Sequence, residues 1–298
     1  MKHWPFYIMI FLMLLGGCNG NPDHQSKVKT VKVLDLSRYS DAPPDKPLNL
    51  LFIHHSCGGQ WLADKGPPDC QNCICKTHPN GGGLRKMLEM NNYKVHEASY
   101  NSIIGNNTDI QDWPPKFRDK MQRILRTKLQ DELLPAGQEN QIVVFKSCFP
   151  NNYFPDDASI EKAKDAYNAL LPIFSRWPRV LFVAVTAPPL VKPCSHPIKG
   201  LIKRLIGRCR DADTLGWRAR KFNNWLKDVE SGWLSKYSLK NVVVFDYYNV
   251  VTKDGRSNWS EYATSWTDSH PNSAGNQKAT EDLIPFLNKA VRRAGLSD

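Results

Sequence analysis

Hydrophobic and polar positions alternate along this chain in two rhythms. Segments of strand length occur at Leu48–Ile53, Tyr93–Ser99, Gln141–Ser147, Arg179–Thr186 and Asn241–Tyr247, and the first holds five apolar residues out of six. Between them lie stretches with apolar residues at helical spacing. These are Leu84–Asn91, Lys116–Leu134, Ala158–Trp177, Leu215–Leu234 and Ala274–Ala294. In the second, Phe117, Met121, Ile124, Leu125 and Leu129 share one side, and Asp156 and Asp157 mark the start of the third. Five strands alternating with helices predict a parallel sheet covered on both faces by helices, a three-layer α/β/α sandwich.

Three regions break this rhythm. Residues 63–83 are rich in Gly, Pro and Cys and read as an irregular insertion, lying over the same sheet edge as Ser56. Residues 18–47 are polar with Pro43, Pro44 and Pro47 near their end, a loosely ordered tether. Residues 1–17 read as an export signal, with Lys2, an apolar run from Pro5 to Leu15, and the small residues Gly16 and Gly17. That run is about half the roughly 20 residues a bilayer span requires. Leu15-Gly16-Gly17-Cys18 resembles the bacterial lipobox, which implies a mature protein beginning at a lipid-modified Cys18. Asn19 stands where an Asp would favour inner-membrane retention, so the expected location is the cell envelope, at the outer membrane. One domain, 48–298, follows the tether.

The chain has 298 residues, enough for a full core, and a formal charge of +11. That excess favours anionic surfaces through long-range steering, but no nucleic-acid motif accompanies it. Part of it lies in the basic segment 192–210, where Lys192, Lys199, Lys203, Arg204, Arg208 and Arg210 interleave with apolar residues. This pattern fits an amphipathic helix on anionic lipid or an acidic polymer, and equally a helix packed by its apolar side. Its ends, Cys194 and Cys209, are placed to close a small lobe by a disulfide. Export permits disulfides, and Cys57, Cys70, Cys73, Cys75, Cys148, Cys194 and Cys209 remain once Cys18 is set aside. Cys70, Cys73 and Cys75 with His78 have zinc-like spacing, but the exported setting favours disulfides, and no metal or other cofactor is assigned.

Chemistry concentrates at two places. After the first strand, polar residues follow abruptly at His54, His55 and Ser56, at the sheet edge where ligands of open α/β sheets bind. Near the C-terminus, Asp268-Ser269-His270-Pro271-Asn272 precedes the last helix. A histidine two residues past an aspartate can have its ring oriented by that carboxylate. Ser56, His270 and Asp268 then suit nucleophile, general base and orienting acid. His54 and His55 read as structural or substrate-contacting residues.

With these motifs, Leu48 to Ala294 resembles the SGNH, or GDSL-like, hydrolase superfamily in four short blocks. Ser56 in HHSCGG matches the first, with His54-His55 in place of the usual Gly-Asp, and Gly105 in IIGNNT matches the second. DSHPNSAG matches the last, with one residue instead of two between Asp and His. In place of the third block stands FKSCFPNN, in which Asn151, Asn152 or Ser147 is the candidate side-chain donor. The resemblance implies a flavodoxin-like parallel five-stranded sheet in strand order 2-1-3-4-5, with oxyanion donors at the Ser56 and Gly105 backbones and at Asn151. It also places Cys57 and Cys148 after neighbouring strands, which makes a disulfide between them plausible, with Cys148 as a buried core thiol the alternative. The implied activity is a serine esterase removing small acyl groups, chiefly from carbohydrate. The alternatives are an acyltransferase using the same residues and a non-catalytic glycan-binding surface lipoprotein. The membrane enters only through the lipid anchor, no nucleic acid is implied, and the oligomeric state is open.

If Cys18 carries the anchor, cells expressing the chain will incorporate labelled palmitate into it and accumulate its precursor under globomycin. Cys18→Ala will remove both signals.

Overall fold

In the computed structural model, which describes residues 31–196 and 211–297, the apolar run Leu48–Ile53 forms strand β1 at the centre of the main sheet. Leu50, Leu51, Phe52 and Ile53 are all buried, as expected of a strand covered on both faces. Cys18, the signal segment and residues 197–210, including Cys209, lie outside the described residues.

The strands following β1 are β2 (Asp64–Lys65), β3 (Asp69–Gln71), β4 (Ile74–His78), β5 (Tyr93–Ala98), β6 (Thr127–Leu129) and β7 (Glu132–Leu133). Then come β8 (Ile142–Lys146), β9 (Leu181–Val185) and β10 (Val242–Phe245). The main sheet runs β10-β9-β8-β1-β5-β6-β7, and β10, β9, β8, β1 and β5 are mutually parallel. Those strands keep the expected 2-1-3-4-5 order. β1 pairs with β5 on one side (Ile53 opposite Ala98) and β8 on the other (Ile53 opposite Phe145). The direction of winding therefore reverses at β1, and the crevice beyond its carboxyl end is the topological switch point.

Alternate strand residues feed two cores. Leu51, Ile53, Val143, Phe145 and Phe182 face the layer of α3 (Trp113–Arg126), α4 (Asp157–Phe174) and α5 (Ala212–Lys227). Leu50, Phe52, Ile142, Val144 and Leu181 face α1 (Ser56–Leu62), α2 (Leu84–Met90) and α7 (Ser273–Arg293), with the short α6 (Tyr247–Val251) on the same side. Phe117 anchors the first core, its ring 4.9 to 6.0 Å from those of Trp113, Phe145, Phe174 and Phe182.

The structure differs from the sequence expectation in four places. The insertion 63–83 carries its own three-stranded sheet, β2-β4-β3, tied by a Cys70–Cys75 disulfide. Its strands are mostly exposed, so no apolar alternation announces them. The helix expected over Lys116–Leu134 starts earlier, at Trp113, where Pro114 and Pro115 suit a first turn, and ends at Arg126. From Thr127 the chain joins the sheet edge as β6 and turns back into β7 through Gln130, in a left-handed conformation. Likewise α5 stops at Lys227, not Leu234. Residues 31–47 form no loose tether: Leu36 and Pro44 are buried. Asn288 and Arg292 of α7 donate to the Asp41 and Ala42 carbonyls.

Lys116 is an unusual α3 residue, buried with its ammonium donating to the Asn106 and Asn107 carbonyls at 2.7 and 2.6 Å and lying over the Trp113 ring. Burial pushes its pKa from 10.5 down to about 7. Below about pH 7 the folded and unfolded chains both hold this proton, and the cost of burying the charge is felt in full. Between about 7 and 10.5 only the unfolded chain holds it, so stability rises with pH across that window. Urea titrations at pH 6.5 and 9 will show wild type gaining stability relative to Lys116→Met at the higher pH.

Candidate active site

β1 delivers the chain to the switch point at Ile53. His54 and His55 follow, with His55 in an extended conformation as the N-cap, and α1 begins at Ser56. The His55 carbonyl accepts the Gly58 and Gly59 amides at 2.9 and 3.1 Å, which turns the strand sharply into the helix. This turn presents the Ser56 hydroxyl in the crevice. The Ser56 amide occupies the first helical position, one of those left without an intrahelical acceptor.

From the other end of the chain, the loop before α7 brings His270. Ser56 Oγ lies 2.8 Å from His270 Nε2, and His270 Nδ1 lies 2.6 Å from Asp268 Oδ1. The same carboxylate oxygen accepts the His270 backbone N–H at 3.0 Å, so Asp268 fixes both ring and main chain. An Ala263–Pro271 bridge and Thr264 N–H donating to the His270 carbonyl brace the loop, and Asn272 caps α7 by accepting from the Gly275 amide. Phe149 sets its ring edge-on to His270, centroids 4.9 Å apart. Partial burial pushes the Asp268 carboxyl up, but the two N–H groups of His270 outweigh it and hold the group below its ordinary value. Asp268 is therefore anionic at neutral pH. With Nδ1–H pledged to that carboxylate, Nε2 is the nitrogen free to accept the Ser56 proton.

The expected oxyanion donors other than Ser56 are engaged elsewhere. The Gly105 N–H donates to Ser102 Oγ at 2.9 Å inside its own turn, and the Gly105 carbonyl accepts from His55 Nε2 at 2.8 Å. Asn151 Nδ2 donates to Asp109 Oδ1 at 2.8 Å while its Oδ1 accepts the Ile110 amide, so this side chain staples two loops. Asn152 is buried and donates to the Ala187 and Pro188 carbonyls. The Ser147 hydroxyl accepts from Trp113 Nε1. The cause is local: Phe149–Asn152 closes as a 3-10 turn right after Cys148, aiming the asparagines into neighbouring loops.

Nor is the Cys57–Cys148 disulfide present. Both are free thiols. Cys148, just past β8, sits with Sγ 3.5 Å from Ser56 Oγ. The Cys57 thiol and the nearby Lys146 ammonium hold Cys148 well below the ordinary thiol range, while burial pushes Cys57 up. In sequence Cys148 is marked only as a disulfide partner or a core thiol. Its adjacency to Ser56 follows from the pairing of β1 with β8. The Cys70–Cys75 bridge removes two thiolates from the zinc alternative, and no cluster able to hold a metal occurs among the described residues. Cys194 is disulfide-bonded.

No protein-family model and no curated protein matches the chain. Solved structures similar to it include a carbohydrate esterase family 2 enzyme with a carbohydrate binding domain from Corynascus thermopiles (Myceliophthora fergusii), at 17% identity over 84% of this chain and 68% of that one, TM-score 0.43. Another is a family two carbohydrate esterase from Clostridium thermocellum in complex with cellohexaose, at 13% identity over 84% and 66%, TM-score 0.41. A third is a salicylyl-acyltransferase from a tetracycline biosynthetic pathway, at 14% identity over 80% and 53%, TM-score 0.42. This chain thus spans about two-thirds of the length of the first two and about half of the third.

Losing a true oxyanion donor costs ~10²–10³ in turnover. Because the Asn151 amide is committed to Asp109, Asn151→Ala will leave the reactivity of Ser56 within about threefold of wild type in a labelling assay, far short of that loss.

Proposed function

We propose that this chain is a serine hydrolase of the SGNH type that cleaves small acyl esters, with acylated carbohydrate as the substrate class. The observation that carries the reading is the 2.8 Å contact between Ser56 Oγ and His270 Nε2, across 214 residues of sequence, with Asp268 on the far side of the ring. Ser56 Oγ attacks the ester carbonyl as His270 Nε2 takes its proton. Asp268 stabilises the imidazolium, and the Ser56 amide receives the negative oxygen. The tetrahedral intermediate collapses, the C–O bond to the alcohol breaks, and His270 returns the proton to the leaving oxygen. A water molecule deprotonated by His270 then attacks the acyl-serine, releasing the acid and regenerating Ser56.

The carbohydrate assignment follows from the four-block resemblance, an argument by analogy. With Cys18 lipidated, the same proposal puts the domain at the envelope, where acylated polysaccharide is at hand. A sugar hydroxyl replacing water in the second step would make the protein an acyltransferase, and product analysis with and without sugar acceptors separates the two outcomes.

A fluorophosphonate probe will label the wild-type chain at Ser56, and the chain will hydrolyse p-nitrophenyl acetate. Ser56→Ala will abolish both while leaving the thermal melt intact, and Asp268→Asn will lower turnover by about 10²–10⁴ through the wrong tautomer of His270. A folded wild type that neither labels nor turns over would reject the hydrolase in favour of a glycan-binding module.

A further inference from the structure

Directly beneath Ser56 lies a buried polar chain that this mechanism does not use. His54 is fully buried, with Nδ1 2.8 Å from the His55 carbonyl oxygen and Nε2 2.9 Å from Glu97 Oε1. Glu97 on β5 is itself buried, and its other oxygen pairs with Arg85 of α2, whose side chain reaches the surface. One partner of the ring is a carbonyl and the other a carboxylate. Both are hydrogen-bond acceptors, so each of these contacts calls for a donor on the ring side.

The carbonyl that His54 grips is the one that opens α1. It takes the Gly58 and Gly59 amides and belongs to the residue immediately before Ser56. The two glycines are what admit this arrangement. A Cβ on Gly58 would stand 2.3 Å from His54 Cβ, and one on Gly59 would stand 1.9 Å from the Cys73 carbonyl oxygen. Phe52 closes the remaining side with its ring centroid 5.0 Å from that of His54. A fully buried imidazole with two oriented bonds in a space cleared by glycine is costly unless its bonds are made. Filling volume alone would be met by an apolar residue.

We propose that His54, oriented by Glu97 and Arg85, is a positioning residue for Ser56, acting through the His55 carbonyl to hold the strand-to-helix turn in the geometry that points Oγ at His270. The proposal rests on the assignment of Ser56 as nucleophile. A reacting atom displaced by about 1 Å can lose ~10² in rate, so the turn need not unfold for reactivity to fall.

The test uses the full chain and the rate of fluorophosphonate labelling at Ser56, resolved into a maximal rate constant and the probe concentration giving half of it, with a thermal melt of each variant. An asparagine places its amide nitrogen near the position of the histidine Nδ1, and a glutamine near that of Nε2. His54→Asn therefore keeps a donor for the His55 carbonyl, whereas His54→Gln keeps the bond to Glu97 and loses the carbonyl. The expected result is a maximal rate within about 3-fold of wild type for His54→Asn and about 10–100-fold lower for His54→Gln, at unchanged half-saturation. Equal rates in the two variants, or a loss carried by half-saturation, would overturn the positioning role. Should His54→Gln fail to fold, Arg85→Ala is expected to slow labelling and Arg85→Lys to restore it. A wild-type rate in Arg85→Ala then overturns the role. Absence of labelling in the wild type would reject the hydrolase assignment itself, and this role with it.

Discussion

Everything at the site depends on β1 lying between β5 and β8. A parallel strand flanked on both sides must bury both faces, which the run Leu50–Ile53 does, and the reversal of winding at β1 opens a crevice past its carboxyl end. The pairing with β8 brings Cys148 to Ser56, and the pairing with β5 brings Glu97 under His54. The neighbours of Ser56 are thus consequences of strand order. None is near it in sequence except His54, His55 and Cys57.

The turn itself combines two demands. Ser56 must stand at the start of a helix with its hydroxyl outward, and the chain must reverse within a few residues of a fully buried strand. The His55 carbonyl meets both by accepting two amides of α1 from above and the His54 ring from below. Arg85 and Glu97 extend this support to α2 and β5, so the geometry of one hydroxyl is referred to three elements of the sheet and its helical cover. On the opposite wall, Asp268 holds His270 by ring and backbone together, which leaves the imidazole little rotational freedom before it meets Ser56.

The loops around this centre are tied to each other more than to the crevice. Lys116 gathers the carbonyls of Asn106 and Asn107, Asn151 joins Asp109 and Ile110, and Asn152 joins the turn after β9. Polar side chains that read as donors for a substrate are here satisfied by the backbone and side chains of neighbouring loops. This is the expected fate of buried polar groups, because an unsatisfied amide in a closed loop costs more than a bond to a neighbour returns. The Ser56 amide escapes that fate through its position at a helix start.

By itself the sequence determined the α/β alternation and the residue types that meet at the site. Apolar runs of strand length and helical spacing are local signals, and Ser56 after the first strand and Asp268-x-His270 before the last helix are legible as chemistry. Only the tertiary structure decided that Thr127–Leu133 would leave the helix to join the sheet edge, that the exposed insertion would fold as its own sheet, and that Cys57 and Cys148 would meet as thiols. It also decided that Gly105 and Asn151 would spend their N–H groups on Ser102 and Asp109. The reason is range: a burial pattern is written within a few residues of where it acts, whereas the partner of a hydrogen-bond donor is chosen by whichever acceptor the fold brings beside it.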